Sequence, residues 1–192
     1  MDNTENKELF LSTFRKNVQR PGAEKLLAWM ETTDFFNAPA STRFHAAYEG
    51  GLLDHSMNVY NVLISKHFDP ASDDIESFTI VSLLHDLCKA GFYKTELRNR
   101  KNDRGEWEKV PVYTVDDQFP YGHGEKSVYL IERFMRLRTE EAMAIRWHMG
   151  GFDESVKGGS FALAHAFEKY PLAVKLHLSD LEATYLHENR SE

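Results

Sequence analysis

The chain has 192 residues, of which 42% are hydrophobic and 28% charged, and a formal charge of −7. That balance excludes collagen, long disorder and a disulfide scaffold, since the single cysteine, Cys88, has no partner for an internal bridge. The acidic charge disfavours a general nucleic-acid coat, which binds largely through Lys and Arg on phosphates.

One domain is expected at this length, burying roughly 70% of the surface its unfolded chain exposes. No Gly/Ser-rich or Pro-rich linker interrupts residues 1–192. The first ten residues are too polar for a signal peptide, and no apolar run reaches about 18 residues, so a cytoplasmic protein that does not enter membranes is expected. In chain order, 5–19 and 22–32 read as amphipathic helices packed on the core, with Leu9, Phe10 and Phe14, then Leu26, Leu27 and Met30, at helical spacing. Residues 52–68 and 75–90 continue helical, with Asp73 or Asp74 as N-cap of the second and Gly91 as its stop. The pattern changes over 92–121, where Asn102-Asp103-Arg104-Gly105 separates two extended runs. These predict a β-hairpin of 93–100 against 107–115. Helical pattern resumes at 125–137, 140–148, 160–169 and 171–187, with Pro171 in the first turn of the last. The expected fold is an all-α helical bundle with an inserted β-hairpin.

Histidine is the unusual feature of the composition, with nine residues. Both members of the pair His85-Asp86 interrupt an apolar stretch, and a buried carboxylate must be paired or bind a metal. On a helix the two would diverge by about 100°, letting both face one ion or Asp86 bridge two. His55 lies on the face of Val59 and Val62, His148 precedes Gly150-Gly151, and Asp180 sits between Leu176, Leu178 and Leu181. With His123, these residues come from separate elements. His55, His85, Asp86 and Asp180 make one ligand set, and Asp86, His123 and His148 make a second. Imidazole and carboxylate donors suit a divalent transition ion, one or two of Mn, Fe, Co, Ni or Zn.

The ordered pattern His55, His85-Asp86, His123, His148, Asp180 resembles the two-metal branch of the HD-domain superfamily of metal-dependent phosphohydrolases. The resemblance spans 50–184, about 70% of the chain. It implies the HD-domain helical fold and hydrolysis of a phosphate mono- or diester on a small molecule, a nucleotide first. No Gly-Tyr-Pro signature follows His85-Asp86, which argues against the cyclic-dinucleotide substrates of the HD-GYP relatives. His-Asp-x-x-Lys stands where relatives acting on deoxynucleoside phosphates carry His-Asp-x-x-Glu, so Lys89 is expected to meet a substrate oxygen beside Asp86. A water activated by the ions would attack phosphorus in line. Arg43, His45, Lys94, Arg98 and Arg146 are further candidates for substrate contact. Two other readings fit the same residues. One is a di-iron oxygenase resembling myo-inositol oxygenase, and the other is a nucleotide-binding module without catalysis. His177 and the basic hairpin residues Arg100, Lys101, Arg104 and Lys109 are expected to be packed or solvated, and His67, His165 and His187 have no neighbours that argue for chemistry.

Overall fold

A computed structural model describes residues 3–188. It is mostly helical: α1 Asn3–Asn17, α2 Ala23–Met30, α3 Gly51–His67, α4 Ile75–Leu84, α5 His123–Glu132, α6 Thr139–Trp147, α7 Glu154–Lys157, α8 Ala162–Lys169 and α9 Pro171–Glu182. Between α4 and α5 stands one antiparallel pair, β1 Tyr93–Lys101 and β2 Trp107–Val115, in a register that pairs Tyr93 with Val115 and Lys101 with Trp107. The two strands match the expected hairpin to within a residue. No helix among the described residues is long and apolar enough to cross a membrane.

The core is built from the apolar faces read in the sequence. Phe10 and Phe14 of α1, Leu26, Leu27 and Met30 of α2, and Phe35 are fully buried, and each such side chain contributes about 1.5–3 kcal/mol. The Phe10 ring packs against Phe35 and Phe36, with centroids 5.8 and 5.4 Å away. A buried ionic tie then fixes the two N-terminal helices to the rest. Arg20 reaches Glu141 of α6 through both terminal nitrogens, at 2.7 and 2.8 Å, and Glu76 of α4 at 3.0 Å. Asp74 caps α4 by accepting from the Glu76 amide, and Pro171 opens α9, both as expected.

Helix boundaries depart from expectation where side chains take over backbone bonds. The helix expected over 75–90 stops at Leu84. Nδ1 of His85 donates to the Ser82 carbonyl at 2.8 Å, the acceptor that the amide of residue 86 would use in a continuing helix. Asp86 leaves helical space at φ −101°, ψ 21°, and a 3₁₀ turn, Leu87–Lys89, follows. The geometry of the His-Asp pair is therefore that of a helix end, not of a helix interior. The helix expected over 171–187 ends at Glu182 and widens into a π-helical segment, Ala183–His187, closed by the Glu188 amide on the Ala183 carbonyl at 3.1 Å. The 3₁₀ turn Gly150–Phe152 and the short α7 carry no periodic signal, and sequence pattern does not foresee them.

Close packing of α5 on α6 depends on Gly124, where a Cβ would lie 2.3 Å from the Arg146 carbonyl oxygen. Overpacking of this kind costs about 1–3 kcal/mol. Gly124→Ala is therefore expected to lower the urea midpoint, whereas Gly151→Ala, with nothing within 4 Å, leaves it in place. Equal midpoints for the two variants would refute the close approach.

Candidate metal centre

Five helices deliver the six predicted residues to one place. His55 projects from the first half of α3, His123 is the first residue of α5, and Asp180 lies on α9. His85 and His148 are the C-caps of α4 and α6. These two caps use the same device. The last carbonyls of a helix have no partner within it, and Nδ1 of each imidazole donates to the carbonyl three residues back, Ser82 at 2.8 Å and Ile145 at 2.7 Å. A carbonyl can only accept, so Nδ1 carries the proton and Nε2 is left with a lone pair turned inward.

Those lone pairs converge on Asp86. Its Oδ2 lies 3.6 Å from Nε2 of both His55 and His85. Its Oδ1 lies 2.8 Å from Nε2 of His123 and 3.5 Å from Nε2 of His148. The two oxygens thus face two different histidine pairs. Asp180 Oδ1 joins the first pair, 3.3 Å from His55 Nε2, and the Nε2 atoms of His55 and His85 are 3.1 Å apart. Nε2 of His148 is fully buried and makes no hydrogen bond.

These spacings suit a cation. Donor atoms about 2.1 Å from a common ion stand ~3.0 Å apart at neighbouring corners of an octahedron and ~3.4 Å apart in a tetrahedron. Four groups of closely spaced donors could each hold a metal ion: His55 with His85 and Asp180, His85 with Asp86 and His148, Asp86 with Cys88 and His123, and His45 with His55 and Glu188. The expected second set is thus split, His148 grouping with His85 and His123 with Cys88. Cys88 is buried beside His123, its Sγ 3.5 Å from Nδ1 of that imidazole.

Without an ion, protons and a lysine balance the carboxylates. Burial works against charge on His55, but hydrogen bonds and attraction from Asp180 and Glu188 win and raise its pKa to about 10. For His123, burial is likewise outweighed by the Cys88 sulfur and Asp86, again to about 10. For His85 burial wins: attraction from Asp86 and Asp180 is too weak to offset it, and the pKa falls to about 3. Burial also disfavours the Asp86 carboxylate, yet Lys89 and His85 hold its pKa well below the usual range. The Lys89 ammonium lies 2.6 Å from Asp86 Oδ2 and is raised above its ordinary value, Asp86 outweighing the cost of burial.

A cavity of about 870 Å³ opens onto this cluster, lined by His55, Asp86, Lys89, His123 and Asp180 at its floor. Arg43 and His45 also line it, as do the aromatic residues Phe44, Phe92, Tyr93, Phe152 and Tyr185. Other candidates lie elsewhere. Lys94 pairs with Glu96 and Asp116 on the exposed hairpin, and Arg98 is exposed on the same strand. Arg146 is engaged by Asp153, Glu125 and Ser155, over the Trp147 ring. None of these three lines the cavity. Arg100, Lys101, Arg104 and Lys109 are exposed, and only the hairpin base, Tyr93 and Val115, reaches the wall. His177 packs by donating from Nδ1 to the His148 carbonyl at 2.6 Å.

Two charged residues, one lining the cavity and one buried behind His55, are not foreseen from the sequence. Lys157 lines the wall and makes no ion pair among the described residues. Glu188 is buried against the cluster, its oxygens 2.8 Å from Nδ1 of His55 and 2.7 Å from Nδ1 of His45. An acid in a polar stretch after a helix gives no periodic signal. The chemistry of a metal-binding imidazole, which calls for an acceptor on its second nitrogen, is the only pointer to it.

Because His55 and His123 are protonated at pH 7 without an ion, binding there must expel protons. Affinity for Zn(II) or Mn(II) is expected to rise with pH from 6 to 8, roughly tenfold per unit for each proton released. Calorimetry in buffers of different ionisation enthalpy reads the proton count; pH-independent affinity with no proton release would contradict the charge balance. No family model, curated protein or solved structure matches the chain.

Proposed function

We propose that the protein is a metal-dependent phosphohydrolase of the HD-domain type, acting on a small phosphate ester, a nucleotide first. The observation that carries the reading is the division of the Asp86 carboxylate between two imidazole pairs, one of which includes the orphaned Nε2 of His148. His55, His85, Asp86 and Asp180 would hold one divalent transition ion, and Asp86, His123 and His148 a second. Ions held there would supply a coordinated water of lowered pKa and a positive charge facing a phosphoryl oxygen.

The chain's own groups supply the rest. The Lys89 ammonium lies within the floor of the cavity, where it offsets charge developing on a phosphoryl oxygen. Arg43 and Lys157 add positive charge to the walls and receive further phosphate oxygens. The aromatic rim offers flat faces to a ring on the organic part of the ester, and Phe44 and Phe152 are more than half exposed. The cavity volume lies in the range of about 300–1,000 Å³ usual for small-molecule sites.

Metal analysis of protein prepared with and without air, followed by a panel of phosphomonoesters, phosphodiesters and nucleotides, tests this reading. Metal-dependent phosphate release is expected. Two irons with oxygen-dependent turnover and no phosphate release would instead identify an oxygenase, and bound nucleotide without turnover a binding module. Asp86→Ala is expected to abolish ion binding and activity together. Lys89→Met should keep the ion stoichiometry and lower kcat by about 10²–10³; an unchanged kcat would remove Lys89 from the reaction.

A further inference from the structure

The carboxylate of Glu188 is 3% exposed although it follows α9 in a polar segment. Each of its oxygens takes one imidazole, Oε1 that of His55 and Oε2 that of His45, and Asn58 Nδ2 adds a 3.4 Å contact to Oε1. A carboxylate oxygen accepts a hydrogen bond from an imidazole N–H, and both oxygens of Glu188 are used in this way. Nδ1 of His55 must then carry the proton that it donates, leaving Nε2 on the side of His85 and Asp180. Where Ser82 and Ile145 carbonyls orient His85 and His148 from within their own helices, His55 depends on an acceptor 133 residues away.

The backbone explains how that acceptor arrives. An α-helix continuing past Glu182 would advance 100° per residue, whereas the π-helical turn Ala183–His187 inserts extra length and closes on the Glu188 amide. Tyr185 and Thr184 of the same segment line the cavity, and His45 ties the connection before α3 to the other carboxylate oxygen.

We infer that Glu188 is a positioning residue of the metal centre, fixing the metal-binding tautomer of His55, and that docking of the Ala183–Glu188 segment is thereby coupled to ion binding. The inference rests on the proposed metal site but not on any substrate. Coupling is reciprocal: a docked segment raises ion affinity, and a bound ion holds the segment down. Carboxylate partners of metal-bound histidine are typically worth 10–100-fold in affinity.

The test uses Zn(II) and Mn(II) titrated into the full chain, with hydrogen exchange of 183–188 followed in both states. Glu188→Ala is expected to weaken ion binding 10–100-fold and to leave 183–188 equally unprotected with and without ion. Glu188→Gln, whose amide oxygen still accepts from His55, should recover most of the affinity, and His187→Ala, at an exposed side chain, should match the parent. Far-ultraviolet circular dichroism and the urea midpoint of the ion-free variants separate loss of folding from loss of coupling. Parent-like affinity in Glu188→Ala, or exchange at 183–188 that ignores the ion in the parent, overturns the inference while the metal site stands. A parent chain that binds neither ion overturns both.

Discussion

Asp86 is 3% exposed at its side chain and remains a carboxylate, and that single demand organises the centre of the molecule. A bare charge in a dry core costs several kcal/mol after relaxation. The fold meets this by bringing the ends or faces of α3, α4, α5 and α6 to it, each with one imidazole, and Lys89 from the turn that follows. Asp180 of α9 and Glu188 beyond it complete the charge balance. Besides their apolar contacts and the tie through Arg20, Glu76 and Glu141, these helices thus share a polar centre, and their relative positions are held by directional bonds as well as packing.

Much of this arrangement was legible in the residues. Most of the six candidate ligands could be named because polar side chains interrupt apolar runs, at 85 and 86 within Leu83, Leu84 and Leu87, and at 180 between Leu178 and Leu181. The hairpin followed from its turn and its β-prone flanks. Element ends were harder to read, because they depend on which donor takes a given carbonyl. His85 cuts α4 short by occupying Ser82, a contest that apolar spacing does not register. Glu188 was hidden for a related reason, since its partner is remote in sequence and the wide turn that delivers it has no compositional mark. Among the basic candidates, Arg43 reaches the cavity, while Arg146 is engaged by Asp153 and Glu125 away from it.

The cavity joins two kinds of surface. Its floor is ionic, with Asp86, Lys89 and Asp180, and its rim is aromatic. With ions at its floor, a ligand of the kind proposed above, a compact anion joined to a flat apolar body, would meet both at once. The net charge of the chain says nothing of this, because the positive groups that face the cavity are outnumbered by acids on the outer surface.

The hairpin stands out from the helical body with almost every residue of β1 exposed. A two-stranded ribbon of this kind leaves both outer edges of its backbone unpaired, and such edges recruit strands from other molecules. Lys94, Glu96, Arg98 and Arg100 run along one face of β1, with Glu108 opposite Arg100, so charge of both signs borders the free edge. A neighbouring strand that paired there would have to place its own side chains beside those charges. Leu97 and Trp107 stand in full view of solvent on the same ribbon, so its free edges combine exposed apolar side chains with a charged flank of the kind that disfavours edge-to-edge pairing.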